Sequence, residues 1–149
     1  MNDLDKEQAL RSSPLFDMLS PPEIEVLAEL SRARRFAPGE VVFREGDPGD
    51  ALFVLARGAV EVVARRDGKE RVLALLVAPE GFGEMSLIDR EVRSATIRAK
   101  DDCVALQLSA ENFTAFRKRS RDGFTLFLVN VARVLSSRLR DTNQKLAGR

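Results

Sequence analysis

Between residues 34 and 108 the sequence runs in short alternating segments, each closed by turn residues, and this punctuation narrows the fold most. The alternation predicts strands at Ala33–Phe36, Val41–Phe43, Leu52–Ala56, Ala59–Ala64, Arg71–Leu76, Ala95–Arg98 and Val104–Leu108. Gly39, Gly46, Gly49, Gly58 and Gly68 fall between them. Asp67-Gly68 is a hairpin signal, because both residues tolerate positive φ. Short strands at such spacing form an antiparallel sandwich or barrel.

Helical patterns flank this region. Leu4 to Leu10 is a short amphipathic start. Ser20-Pro21-Pro22-Glu23 combines a capping serine, prolines in the first turn and a glutamate three residues after the cap. The helix it opens runs to about Leu30 and buries Ile24, Leu27 and Leu30, as scaffold. Ser109 caps a helix over Ala110–Lys118, with Phe113 and Phe116 on its apolar side. Asp122 to Lys145 then reads as one long helix. Phe124, Phe127, Leu128, Val131, Val134, Leu135, Leu139 and Thr142 follow helical spacing, with Arg133, Arg140 and Lys145 on other faces. The expected fold is α+β: an antiparallel β-barrel or jelly roll of about eight strands, an N-terminal helical cap and C-terminal helices. The expected organisation is one domain over 1–149, with a helical segment 1–32, a barrel 33–109 and helices 110–149.

Composition removes several functions. Histidine is absent, which takes away the usual general base and the commonest metal ligand. Cys103 is the single cysteine, so no internal disulfide forms. It sits in the apolar run Cys103-Val104-Ala105-Leu106 and reads as core packing. No catalytic residue, metal or cofactor is expected, and an enzyme is the least favoured class. The net charge of +1 gives no global attraction to nucleic acid or membrane. The basic run Arg117-Lys118-Arg119-Ser120-Arg121 has no interleaved aromatics and suits a solvated helix C-terminus. No apolar run approaches the roughly 20 residues of a membrane span. The polar N-terminus has no signal-peptide core, so the expected location is the cytoplasm.

One stretch carries chemistry: GFGEMSLIDREVRSATIRA, from Gly81 to Ala99. Glycines before a helical turn let backbone amides approach a ligand, and unpaired amides at a helix start attract anions. Arg93 can hold a phosphate in a fork of two hydrogen bonds. Glu84 would repel a bare phosphate but accepts hydrogen bonds from a sugar hydroxyl. The combination suits a sugar phosphate of low charge better than a nucleoside triphosphate.

Phe82-Gly83-Glu84, a short helix, a loop and Arg93-Ser94-Ala95 then resemble the phosphate-binding cassette of cyclic-nucleotide-binding domains, with the cassette at 81–95. That family includes domains of the catabolite activator protein, kinase regulatory subunits and gated channels. The run from Pro38 to Val62 resembles the family's first half as well, so the resemblance spans roughly residues 12–140. It implies that Gly83 lets the backbone reach a cyclic phosphate, with the amides of Met85 and Ser86 pointing at it. Glu84 receives the ribose 2′-hydroxyl, Arg93 pairs with the phosphate, and Ser94 bonds a phosphate oxygen or the purine. The base lies on barrel side chains near Val62 and Leu73. A lid comes from the long helix near Leu135, Arg138 or Thr142; Arg138 either stacks on the purine or stands in solvent.

Three departures from the family pattern stand out. Arg90 and Val92 occupy places where a glycine and a proline are common, and Ala78-Pro79-Glu80 replaces Pro-Gly-Asp. A positive φ at residue 90 costs an arginine about 1 kcal/mol. The leading expectation is a stand-alone receptor for cAMP, with cGMP open. Its signal passes to an unidentified effector protein through movement of the C-terminal helices, as a monomer or as a homodimer through the last helix. A non-binding interaction module of the same fold is one alternative. The other is a transcription-factor sensor domain without its helix-turn-helix, since only residues 143–149 follow the expected lid; no DNA or membrane partner is expected.

Overall fold

The computed structural model describes residues 1–147 and sets helices from both ends of the chain around two antiparallel sheets. Helix α1 (Asp3–Ser12), a 3₁₀ turn (Pro14–Phe16) and α2 (Pro21–Leu30) come first. Eight strands follow: β1 (Arg32–Phe36), β2 (Val41–Phe43), β3 (Ala51–Arg57), β4 (Ala59–Arg66), β5 (Lys69–Val77), β6 (Gly81–Phe82), β7 (Thr96–Ala99) and β8 (Cys103–Ser109). Helix α3 (Glu84–Asp89) lies between β6 and β7, and α4 (Ala110–Arg119) and α5 (Arg121–Ala147) close the chain.

The helix starts follow from their caps. Ser20 and Ser109 each accept from the amide three residues on, while Glu23 and Asn112 reach back, so both helices open on complete capping boxes. The β4–β5 hairpin turns at Asp67 (φ 55°) and Gly68 (φ 75°). Two consecutive positive φ values match the right-handed twist of the flanking strands.

The first sheet has the order β1-β8-β3-β6 and the second β2-β7-β4-β5. They face each other as a jelly-roll sandwich. The first sheet is buried on both faces. Phe53, Leu55, Cys103 and Ala105 point into the sandwich, while Leu52, Val54, Leu106 and Leu108 pack under the helices. Its central strands β3 and β8 therefore read as continuous apolar runs rather than alternations.

Helices α1, α2, α4 and the first half of α5 share the outer core. Phe127 stacks on Phe16 at 5.6 Å and on Phe113 at 4.7 Å. Ile24 and Leu27 are buried there, whereas Leu30 is only half-buried against the same cluster. Of the apolar stripe expected on α5, Phe127 and Val131 are buried and Phe124, Val134 and Leu135 half-buried, but Leu128 (40% exposed) faces outward, and Leu139 (62% exposed) and Thr142 project beyond the sandwich. Among the described residues no helix is long and apolar enough to cross a membrane, and no element follows α5.

Candidate functional site

A cavity of about 360 Å³ opens between α3, the loop after it, the inner face of the second sheet and α5. Its construction starts at β6, a two-residue strand paired with Phe53 and Val54. Gly83 then turns left-handed at φ 84° and leads into α3. A Cβ at this position would lie 2.9 Å from Arg93 Nη1 and 3.0 Å from the Ala51 carbonyl. The position therefore needs glycine for conformation and for space. The opposite loop fits as closely, since a Cβ on Gly49 would collide with the Ser86 side chain.

Arg93 is fixed from several directions. Its amide donates to the Asp47 carbonyl and its carbonyl accepts from Gly46, both at 2.8 Å. Nη2 donates to the Ala51 carbonyl at 2.7 Å and Nη1 to the Gly83 carbonyl at 3.1 Å. The guanidinium lies 3.9 Å from the centre of the Phe43 ring, and the residue is 4% exposed. Burial pushes its pKa down, against the attraction of Asp50, Asp47 and Glu84. Among the described residues its buried Nε bonds to nothing. Buried polar groups are ordinarily paired, so a buried cation with an unused donor on a residue lining a cavity has the chemistry to receive an anionic oxygen.

Glu84, 3% exposed, begins α3. Its Oε1 accepts from Arg138 Nη1 at 3.0 Å. Arg138 also donates through Nη2 to the Gly81 carbonyl at 2.8 Å and lies 3.8 Å from the Glu80 carboxylate. The last helix is thereby tied to both ends of the Gly81–Glu84 turn. A carboxylate held by one arginine keeps further lone pairs for a hydroxyl donor.

The structure brings together Val62, Phe82, Gly83, Glu84, Met85, Ser86, Arg93, Ser94, Ala95, Leu135 and Arg138 around this cavity. Ser86 is buried, while Met85 and Ser94 are exposed. Leu73 and Thr142 do not line it. Val62 pairs with Ala74 and Val63 with Val72, so Leu73 is the extra residue of a β-bulge and is 54% exposed. Leu76, paired with Val60, is the residue of β5 that lines the cavity. Thr142 lies one turn past Arg138 and bonds only its carbonyl, at 3.0 Å. Phe43, Leu76, Asp89, Glu91, Val92 and Ile97 also line the cavity; the motif marked only Val92 among them, as a departure from the family pattern and not as a site residue. Inward alternation on β7 points to Ile97, whereas nothing local marks Phe43 as the platform for a guanidinium. Arg90 takes φ 59° and ψ 22°, and its amide closes α3 on the Ser86 carbonyl at 3.0 Å. The left-handed conformation anticipated for the missing glycine is present.

A family model described as the cyclic nucleotide-binding domain matches residues 33–120. The chain belongs to the cyclic nucleotide-binding domain family. The cyclic AMP receptor protein of Thermus thermophilus is 37% identical over 138 residues, covering 92% of this chain and 62% of that protein. The regulatory domain of Toxoplasma gondii PKA, in a co-crystal with cAMP, is 26% identical with a TM-score of 0.72 over 76% of this chain and 44% of that one. A cyclic nucleotide-binding domain from Methylobacillus flagellatus, 23% identical, shares the fold with a TM-score of 0.86 over 97% of this chain and 82% of that one. The chain spans 62% of the length of the Thermus relative, so family membership describes this domain and not a whole regulator.

Proposed function

We propose that this chain is a cyclic-nucleotide receptor module that binds cAMP in the cavity under α5 and hands the signal to another protein. The observation that carries the reading is the buried Arg93 with its unpartnered Nε, sharing one cavity with Gly83 and the buried Glu84. The cyclic phosphate sits on Arg93 and the amides at the start of α3. Its single negative charge is matched by one guanidinium. The ribose 2′-hydroxyl donates to Glu84. The base lies over Val62 and Leu76, under Leu135 and Arg138.

No bond is broken. The ligand acts by binding one arrangement of α5 more tightly than another. Arg138 already occupies Glu84, so an arriving hydroxyl shares or displaces that contact and shifts the hold on α5. Movement of α5 is the output, read by an effector protein. The exposed Leu128, Leu139 and Leu146 on α5 also support self-association through this helix, which sedimentation over a range of concentrations detects.

The names of the relatives favour cAMP. The exposed Ser94 hydroxyl at the cavity wall favours a second ligand, cGMP, through the guanine 2-amino group. Calorimetric titration with the two nucleotides side by side decides between them. Tighter cAMP binding is the expected result; binding of neither nucleotide overturns the receptor reading and leaves a non-binding interaction module.

A further inference from the structure

A groove of about 880 Å³ lies between α1 and the first sheet, and shares no lining residue with the nucleotide cavity. One bank is a single face of α1: Asp5, Gln8 and Ser12 stand three, four and seven residues apart. The floor is built of small side chains, among them Ala33, Ala56 and Pro79. Such a floor lets another backbone come close.

The remaining wall is cationic. Strand pairing puts Arg35 of β1 and Arg57 of β3 on either side of the same residue, Val104 of β8. Their backbones are therefore two strand spacings apart, roughly 10 Å. Both are exposed, and neither has a salt-bridge partner among the described residues. Arg34, between them in kind, is by contrast used internally: it bonds Gln107 at 3.2 Å and lies over the Phe36 ring. Arg35 and Arg57 also border an adjoining cavity with Asp102, to which neither is ion-paired; two guanidiniums without an ion-pair partner at the edge of one trough are complementary to two carboxylates.

The shape selects the kind of anion. A small ion would meet the arginines and leave the α1 bank unused. From Asp5 to Ser12 that bank extends about 10 Å along the helix axis. An extended chain of three or four residues covers roughly the same length, and its alternate side chains project to one side about 7 Å apart. Long arginine stems close the difference in spacing. We propose that this groove docks an extended acidic segment of a partner protein, with two carboxylates of alternate residues on Arg35 and Arg57. Its backbone amides and hydroxyls then face Asp5, Gln8 and Ser12. The inference stands apart from the nucleotide reading, because no residue is common to the two cavities.

The test uses two fluorescein-labelled peptides, Gly-Glu-Leu-Glu-Ser-Gly and Gly-Lys-Leu-Lys-Ser-Gly, followed by anisotropy against the whole chain. The glutamate peptide should bind at least roughly tenfold more tightly, and added salt should weaken it. The exposed double substitution Arg35→Glu/Arg57→Glu should invert the preference, while cAMP titration of the same folded variant stays within about twofold of the parent. Equal binding of both peptides, no binding, or an unchanged preference in the charge-reversed variant overturns the proposal. Succinate binding as tightly as the glutamate peptide also overturns it, in favour of a small-anion site.

Discussion

Removing Arg138 tests how the last helix is held against the site. Its guanidinium makes hydrogen bonds of 3.0 Å to Glu84 and 2.8 Å to the Gly81 carbonyl. The Glu84 side chain is 4% exposed and that of Arg138 35%. Breaking a fully buried pair costs about 3–5 kcal/mol, and a hydrogen bond to a charged group is worth about 1.5–3 kcal/mol. Water reaches the arginine end here, so the lower range applies. Arg138→Ala should therefore lose about 1.5–3 kcal/mol, which for a chain of this size lowers Tm by roughly 3–12 °C. Arg138→Met keeps the aliphatic stem and isolates the polar part. The chain has no Trp or Tyr, so urea unfolding followed by circular dichroism is the suitable assay. Combining Arg138→Ala with Glu84→Gln closes a double-mutant cycle, in which a coupling of about 1 kcal/mol or more is expected. Additivity within about 0.5 kcal/mol would refute the pairing as an energetic tie.

Gly83→Ala should cost about 1–2 kcal/mol in stability from its positive φ, and should weaken cAMP binding by pushing Arg93 aside; calorimetry and urea unfolding read the two effects. If Glu84 receives the ribose hydroxyl, 2′-deoxy-cAMP should bind the parent about tenfold more weakly than cAMP, and Glu84→Gln should narrow the gap. Equal affinities on the parent would remove that role. At the root of α5, burial raises the Glu23 pKa, but hydrogen bonds from Ser120, Ser20 and the Gly123 amide outweigh it and hold the carboxyl below its ordinary value. Its stabilisation is complete above the unfolded value, about pH 4.3, and is lost as pH falls through the lower folded value. The stability gap between the parent and Glu23→Gln should thus be present near neutrality and close on acidification; a gap independent of pH would contradict it.

Features set by a few neighbouring residues are legible in the sequence. Ser20 and Ser109 announce their helices because capping needs only side chains within one turn. Asp67-Gly68 announces its hairpin for the same reason. Features set by distant elements are not. The two-residue strand β6 has no period of its own and exists through its pairing with β3. The bulge at Leu73 adds one residue without disturbing the apolar run, and the β5 residue that lines the cavity is Leu76, opposite Val60, which the run does not distinguish from its neighbours. Thr142, an expected lid position, lies outside the cavity lining, because the reach of α5 over the cavity depends on how its first half packs, through Phe127 and Val131, on the helical cap. Glu84 and Arg138 each read as site residues, but their bond joins residues 54 positions apart and needs the folded chain.

The central claim is that the buried Arg93 holds the phosphate of a cyclic nucleotide. Calorimetric titration of the parent and of Arg93→Ala with cAMP, after circular dichroism has shown both to be folded, tests it most directly. The parent should bind one cAMP per chain, and the variant should lose roughly 2–5 kcal/mol of binding free energy, as truncated buried charge pairs do. Equal cAMP affinity in the folded variant would contradict the assignment.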